Sequence, residues 1–176
     1  MLAQGTLLSG RAYVSLGQLD KGIKYFQQGL TAYLATGAEV WRPMYLGMLA
    51  SAYEQSGRIA DGLDQVTEAL EDVETTQERW WEPELYRLRG ALLNELSSDN
   101  HTEAEACFQQ ALSIARQQQA KSWELRAATS LAHLWQSQDK RQDAYDLLAP
   151  VYEWFTEGFH TSDLQDAKAL LSELKG

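Results

Sequence analysis

Three histidines, one cysteine and 25 carboxylates are the side chains here that could hold a metal or carry catalysis. Each needs company to do so. A metal site gathers ligands at short spacings, and a thiol or hydroxyl nucleophile needs a base beside it. His101, His133 and His160 stand apart, none at i, i+4 to another and none next to Cys107. The patterns HExxH, CxxC and GxxxxGK[ST], which would mark a zinc, redox or phosphate site, do not occur. Cys107 directly precedes the apolar Phe108 and reads as a half-buried structural thiol without a histidine partner. The carboxylates Glu68, Glu71, Asp72 and Glu74 crowd one helix end, where a solvated acidic face explains them better than an acid–base pair. These residues therefore predict no catalytic group, no metal, no cofactor and no enzyme.

The elements that carry them repeat. Gly22, Gly62, Ala104 and Ala144 recur every 40 to 42 residues, each followed four residues later by Phe26, Val66, Phe108 or Leu148. Trp41, Trp81 and Trp123 keep the same beat and are expected to wedge between successive hairpins. A period of this length predicts stacked helical hairpins. Small residues belong where paired helices approach most closely, and a large residue one turn on fills the space beside that contact. In the first repeat Gly10, Ala12, Tyr13 and Leu16 share a face and Gly17 supplies a left-handed stop. Gly57 does the same in the second repeat. The third has a longer turn, with Asn100 or Thr102 as N-cap, and the fourth a polar turn at Gln138–Asp139–Lys140. Pro43 and Pro83 mark helix starts, whereas Pro150 should kink or end its helix. Ser162 and Gln165 are spaced as a capping box before a stripe of Ala167, Leu170, Leu171 and Leu174.

The fold class expected is all-α, a right-handed superhelical solenoid of four hairpins with a C-terminal capping helix. The chain reads as one domain over 1–176, with repeats at about 1–37, 38–77, 78–120 and 121–157 and the capping helix at 161–175. A net charge of −10 argues against nucleic acid or anionic membrane as partner, because both require basic patches. No window reaches the length and apolarity of a membrane span, and the first residues lack the basic region of a signal peptide, so the expected location is cytoplasmic. Leu2, Leu7 and Leu8 form an apolar start without a polar cap, a surface through which the first repeat could form a homo-oligomer.

Gly10-Tyr13-Gly17-Gly22-Phe26-Gly29-Leu30 and Ala50-Tyr53-Gly57-Gly62-Val66-Ala69-Leu70 resemble the tetratricopeptide repeat. The period exceeds the usual length of about 34 residues. That longer form resembles the C-terminal helical regions of bacterial signalling ATPases, cyclase-linked proteins and transcription activators. The resemblance implies that the first helix of each hairpin lines a concave surface that binds a protein or peptide. By register the contacts would be Arg11 and Ser15; Ser51, Glu54 and Gln55; Arg87, Asn94 and Glu95; and Arg126, His133 and Gln136. Arg11, Arg87 and Arg126 offer forked donors to a carboxylate. The expected function is a non-catalytic interaction scaffold. The alternatives are self-association, or a sensory domain with a small ligand enclosed among Tyr13, Tyr45, Tyr53, Tyr86 and Trp135. Trp80 and Trp154 fall outside the repeat register, either as core or as exposed anchors.

Overall fold

The computed structural model describes residues 2–175. Among them run nine α-helices: α1 Leu2–Ser15, α2 Leu19–Leu34, α3 Arg42–Gln55, α4 Ile59–Thr76, α5 Glu82–Leu96, α6 His101–Gln117, α7 Lys121–Ser137, α8 Arg141–Glu153 and α9 Ser162–Lys175. A short 3-10 turn at Ser98–Asn100 precedes α6. The chain divides into two compact units, Met1–Leu88 and Arg89–Gly176.

In the first unit α1 pairs with α2 and α3 with α4, and α3 also packs on α1 and α2. The small residues work as their spacing predicts. A Cβ on Gly10 would lie 3.1 Å from the Gly22 carbonyl, and one on Gly22 would lie 3.0 Å from the Gly10 carbonyl. The two backbones can approach this closely only because neither residue has a side chain. Phe26 fills the adjacent space and is fully buried, a contribution of about 1.5–3 kcal/mol from apolar area alone. Leu7 sits directly over Gly29, where a Cβ would come within 2.7 Å of its Cγ.

The first two turns are built alike. Gly17 and Gly57 each adopt φ +73°, and the following amide donates back to Tyr13 O or Tyr53 O at 2.9 Å. In the second unit Gln119 and Asp139 occupy the same left-handed position at φ 55° and 60°. There Ala120 N and Lys140 N donate to Ala115 O and Trp135 O, both at 2.9 Å. The turn geometry is thus kept without glycine, at a conformational cost of about 1 kcal/mol per residue.

The second unit packs α6 on α7, α7 on α8, and α9 against both α7 and α8. Gly90 of α5 meets α6 in the same manner as Gly10 meets α2. A Cβ at Gly90 would stand 2.7 Å from the Phe108 ring and 3.0 Å from the Ala104 carbonyl. Ala167, Leu170, Leu171 and Leu174 of α9 are buried as one stripe.

Several local expectations need correction. Leu16 is 70% exposed because α1 ends at Ser15 and leaves it in the turn. Ala12 is exposed as well. Of the apolar start, Leu2 and Leu8 are exposed but Leu7 belongs to the core. Asn100 does precede α6, yet its side-chain amide donates back to Leu93 O in the last turn of α5 and does not cap α6; Ser97 caps the 3-10 turn by accepting from Asp99 N. Of the two effects expected of Pro150, it does not end α8, which continues to Glu153 with the proline inside it. At α9 the observed bonds at the helix start run from Thr161 Oγ1 to Gly158 O and from Gln165 N to Thr161 O, so the boundary lies one residue before the expected capping box.

Among the described residues three carboxylates are buried, and each meets a cation: Glu82 with Arg79, Glu84 with Arg87, and Glu124 with Arg116 and Lys121. All lie in the first turn of a helix, where the macrodipole favours negative charge. Burial works against ionisation of Glu124 more than any other single influence. The hydrogen bonds and charges of Lys121 and Arg116 together outweigh it, so the carboxyl stays below its ordinary value. The resulting stabilisation is complete above the usual glutamate value of about 4.3 and is lost as the pH falls through the lower folded value. Glu124→Gln is expected to flatten the acid side of a plot of thermal midpoint against pH, measured beside wild type.

Candidate functional site

An apolar pocket of about 430 Å³ opens in the first unit on the face formed by α1 and α3. Residues Gln4, Leu7, Leu8 and Arg11 come from one stripe of α1 at i, i+3, i+4 and i+7. Met44, Tyr45 and Met48 come from α3, and Trp41 and Trp80 from the segments that lead into α3 and α5. Tyr45 is held edge-on against Tyr33, with ring centroids 5.4 Å apart. Methionines and aromatic rings give a surface that is both adaptable and strongly apolar.

Why the pocket exists follows from a departure from the repeat. Trp81 is buried because Gly47 leaves room for it: a Cβ at position 47 would lie 2.2 Å from the Trp81 ring. Forty residues earlier the same pairing would set Trp41 against Leu7. Leucine already fills that place, so Trp41 is 45% exposed and stands at the pocket wall. Its backbone takes φ 68°, a left-handed conformation unusual for tryptophan. The wedge role expected of all three tryptophans is thus found for Trp81 and not for Trp41. Trp123 is half-buried, with the Arg126 guanidinium 5.7 Å from its ring centre.

Glu78 links the Trp41 backbone to the Trp80 indole. Its carboxylate accepts from Trp41 N at 2.9 and 3.0 Å and from Trp80 Nε1 at 2.9 Å. Trp80 and Trp154, the two tryptophans outside the repeat register considered as core or anchor, are both exposed.

The residues expected to contact a partner are placed as follows. Arg11 lies in the pocket and is exposed. Ser15 is exposed at the end of α1. Gln55 donates to Ser51 at 3.4 Å on α3, and Glu54 is half-buried beside them. Arg87 is bound bidentately by the buried Glu84. In the second unit Arg126 reaches Asp163 of α9 at 3.5 Å, and Gln136 donates to Glu173 of the same helix at 3.1 Å. Asn94 is half-buried with its Oδ1 unpartnered, while Glu95 and His133 are exposed. Of the five aromatics expected around an enclosed ligand, Tyr45 alone lines this pocket. Tyr13 packs on Tyr25, and Tyr53 accepts from Gln27 at 2.8 Å. Trp135 lines a separate cleft of the second unit with Arg116 and Leu147.

Some of the groups with the chemistry for catalysis are engaged in structure. Glu68 and Asp72 grip Arg42, and burial pushes the Cys107 thiol above its ordinary value, away from the reactive thiolate. Among the described residues no His, Cys, Asp and Glu gather in a group that could hold a metal ion, and no helix is long and apolar enough to cross a membrane.

Residues 7–35 and 95–118 match the tetratricopeptide repeat. An uncharacterized protein of Rhizobium meliloti (strain 1021) is 32% identical over 131 residues, 74% of this chain and 13% of that protein. The chain thus spans only a small part of that relative's length. Among solved structures, the nearly identical TPR-like repeats of Podosopora anserina, assigned to a kinesin light chain, superpose with a TM-score of 0.72 at 16% identity, over 97% of this chain and 84% of that one. Rap protein complexed with Competence and Sporulation Factor gives a TM-score of 0.74 at 19% identity, over 98% of this chain and 53% of that one. At such identities the likeness is one of fold. This chain is a tetratricopeptide-type repeat protein, an all-α helical-repeat solenoid.

Proposed function

We propose that the chain is a non-catalytic protein-interaction module that receives a segment of a partner protein in the α1–α3 pocket of its first unit. The observation that carries this reading is the pocket itself. Two tryptophans, two methionines and two leucines line it, and Trp41, Trp80 and Leu8 are each more than 40% exposed. Soluble proteins rarely leave such contiguous apolar surface uncovered without a binding role. The repeat fold supports it, since such arrays offer extended concave surfaces to partners. The Rap structure, solved with a bound factor, also lends support.

A small ligand is the second reading, favoured by a volume within the roughly 300–1,000 Å³ of small-molecule sites. The test is an array of immobilised peptides in a Gly-Ser frame with two varied central positions, probed with wild type and with Trp80→Ala. Peptides retained by wild type and lost by the variant are the expected result. Equal retention by both proteins, or none by either, overturns the reading.

A further inference from the structure

The pocket carries a charge signature as well as a shape. Eight of the chain's nine arginines already have an acceptor: Arg42, Arg58, Arg79, Arg87, Arg89, Arg116 and Arg126 meet carboxylates, and Arg141 donates to the Glu173 carbonyl. Arg11 has no such partner among the described residues, although the chain carries ten more negative than positive charges. It is also the one charged residue of the pocket lining. A guanidinium left beside apolar walls is set to receive an anion from outside, and its fork matches a carboxylate.

The carboxylate bound to the pocket's two tryptophans is engaged elsewhere. Glu78 is absent from the lining and accepts from the Trp41 amide and the Trp80 indole. It anchors the Trp80 ring directly and the Trp41 backbone across a sequence separation of 37 residues.

The geometry points to a partner peptide that presents a bulky apolar side chain next to an aspartate or glutamate, the apolar group entering between Trp41 and Trp80 and the carboxylate pairing with Arg11. Glu78 is the positioning residue for the two walls. This inference rests on the docking role proposed above.

The dipeptide array separates the two. Wild type is expected to retain sequences that combine a large apolar residue with Asp or Glu, about five- to tenfold above the matched Asn or Gln peptides. Arg11→Gln, at an exposed site without a partner, should fold normally, lose that acid preference and keep the apolar one. Arg11→Lys should restore part of it. Glu78→Gln should weaken every retained peptide while leaving the acid preference intact, with the thermal midpoint unchanged. A wild type without acid preference, or an Arg11→Gln variant that keeps it, overturns the charge assignment while the docking role stands. Retention unaffected by Trp80→Ala removes the docking role itself.

Discussion

Leu7→Ala is expected to cost about 3 kcal/mol and to lower the thermal midpoint of unfolding by roughly 10 °C. Leu8→Asp, one residue on, should leave stability within about 0.5 kcal/mol. The two leucines are neighbours in sequence and opposites in structure. Leu7 is 1% exposed and seated on the bare backbone of Gly29, whereas Leu8 is 64% exposed at the pocket. Truncating Leu7 removes its buried isobutyl branch and opens a void against α2, since a backbone held in a helix cannot collapse into it. Leu7 also borders the open pocket, so part of the space it vacates joins an existing cleft, which places the loss toward the lower part of the range for such truncations. Thermal and denaturant unfolding of the two single variants checks this. Equal losses would mean that α1 packs on α2 in another register. Leu8→Asp has the further use of placing a carboxylate in the apolar wall, so it should abolish peptide retention in a protein that remains folded.

The architecture is legible in the sequence because its determinants are local and repeat. Gly10, Gly22 and Phe26 declare a close helix contact through their spacing, and Gly17 and Gly57 declare their turns. The later turns are harder to read because Gln119 and Asp139 adopt the left-handed conformation that glycine would have advertised. Their residue types carry no strong signal, and the return hydrogen bonds to Ala115 O and Trp135 O hold the turn instead.

The candidate site is legible only in part. Register places Arg11, Arg87 and Arg126 alike on first helices, but it does not show which guanidinium is neutralised. The partner of Arg87, Glu84, lies three residues away and its i, i+3 spacing is visible in the sequence. The partner of Arg126, Asp163, lies 37 residues away and is brought near only by the packing of α9 on α7. Trp80 and Glu78 are obscure for the opposite reason. They belong to no repeat position, and a residue outside the pattern has only its own type to argue from.

Gly47→Leu tests the origin of the pocket. In wild type the Trp81 ring occupies the space that any side chain at position 47 would need, with Leu85 also within 2.8 Å of a Cβ. Leucine in a helix interior gains propensity over glycine by roughly 0.8 kcal/mol. Overpacking at a buried site costs typically about 1–3 kcal/mol, so a side chain driven into an indole ring, at the upper end of that range, should leave a net loss of about 2 kcal/mol. The spectroscopic outcome is the more telling one. If Leu7 is the reason that Trp41 stands outside the core, leucine at the equivalent position 47 should force Trp81 out in the same way. Fluorescence emission should then shift to the red and acrylamide quenching should rise, and both changes should vanish in the Gly47→Leu, Trp81→Phe double variant. A destabilised protein with unshifted emission would show that Trp81 holds its place by other contacts. The exposure of Trp41 would then have to come from its own left-handed backbone and its bond to Glu78, with Leu7 playing no part.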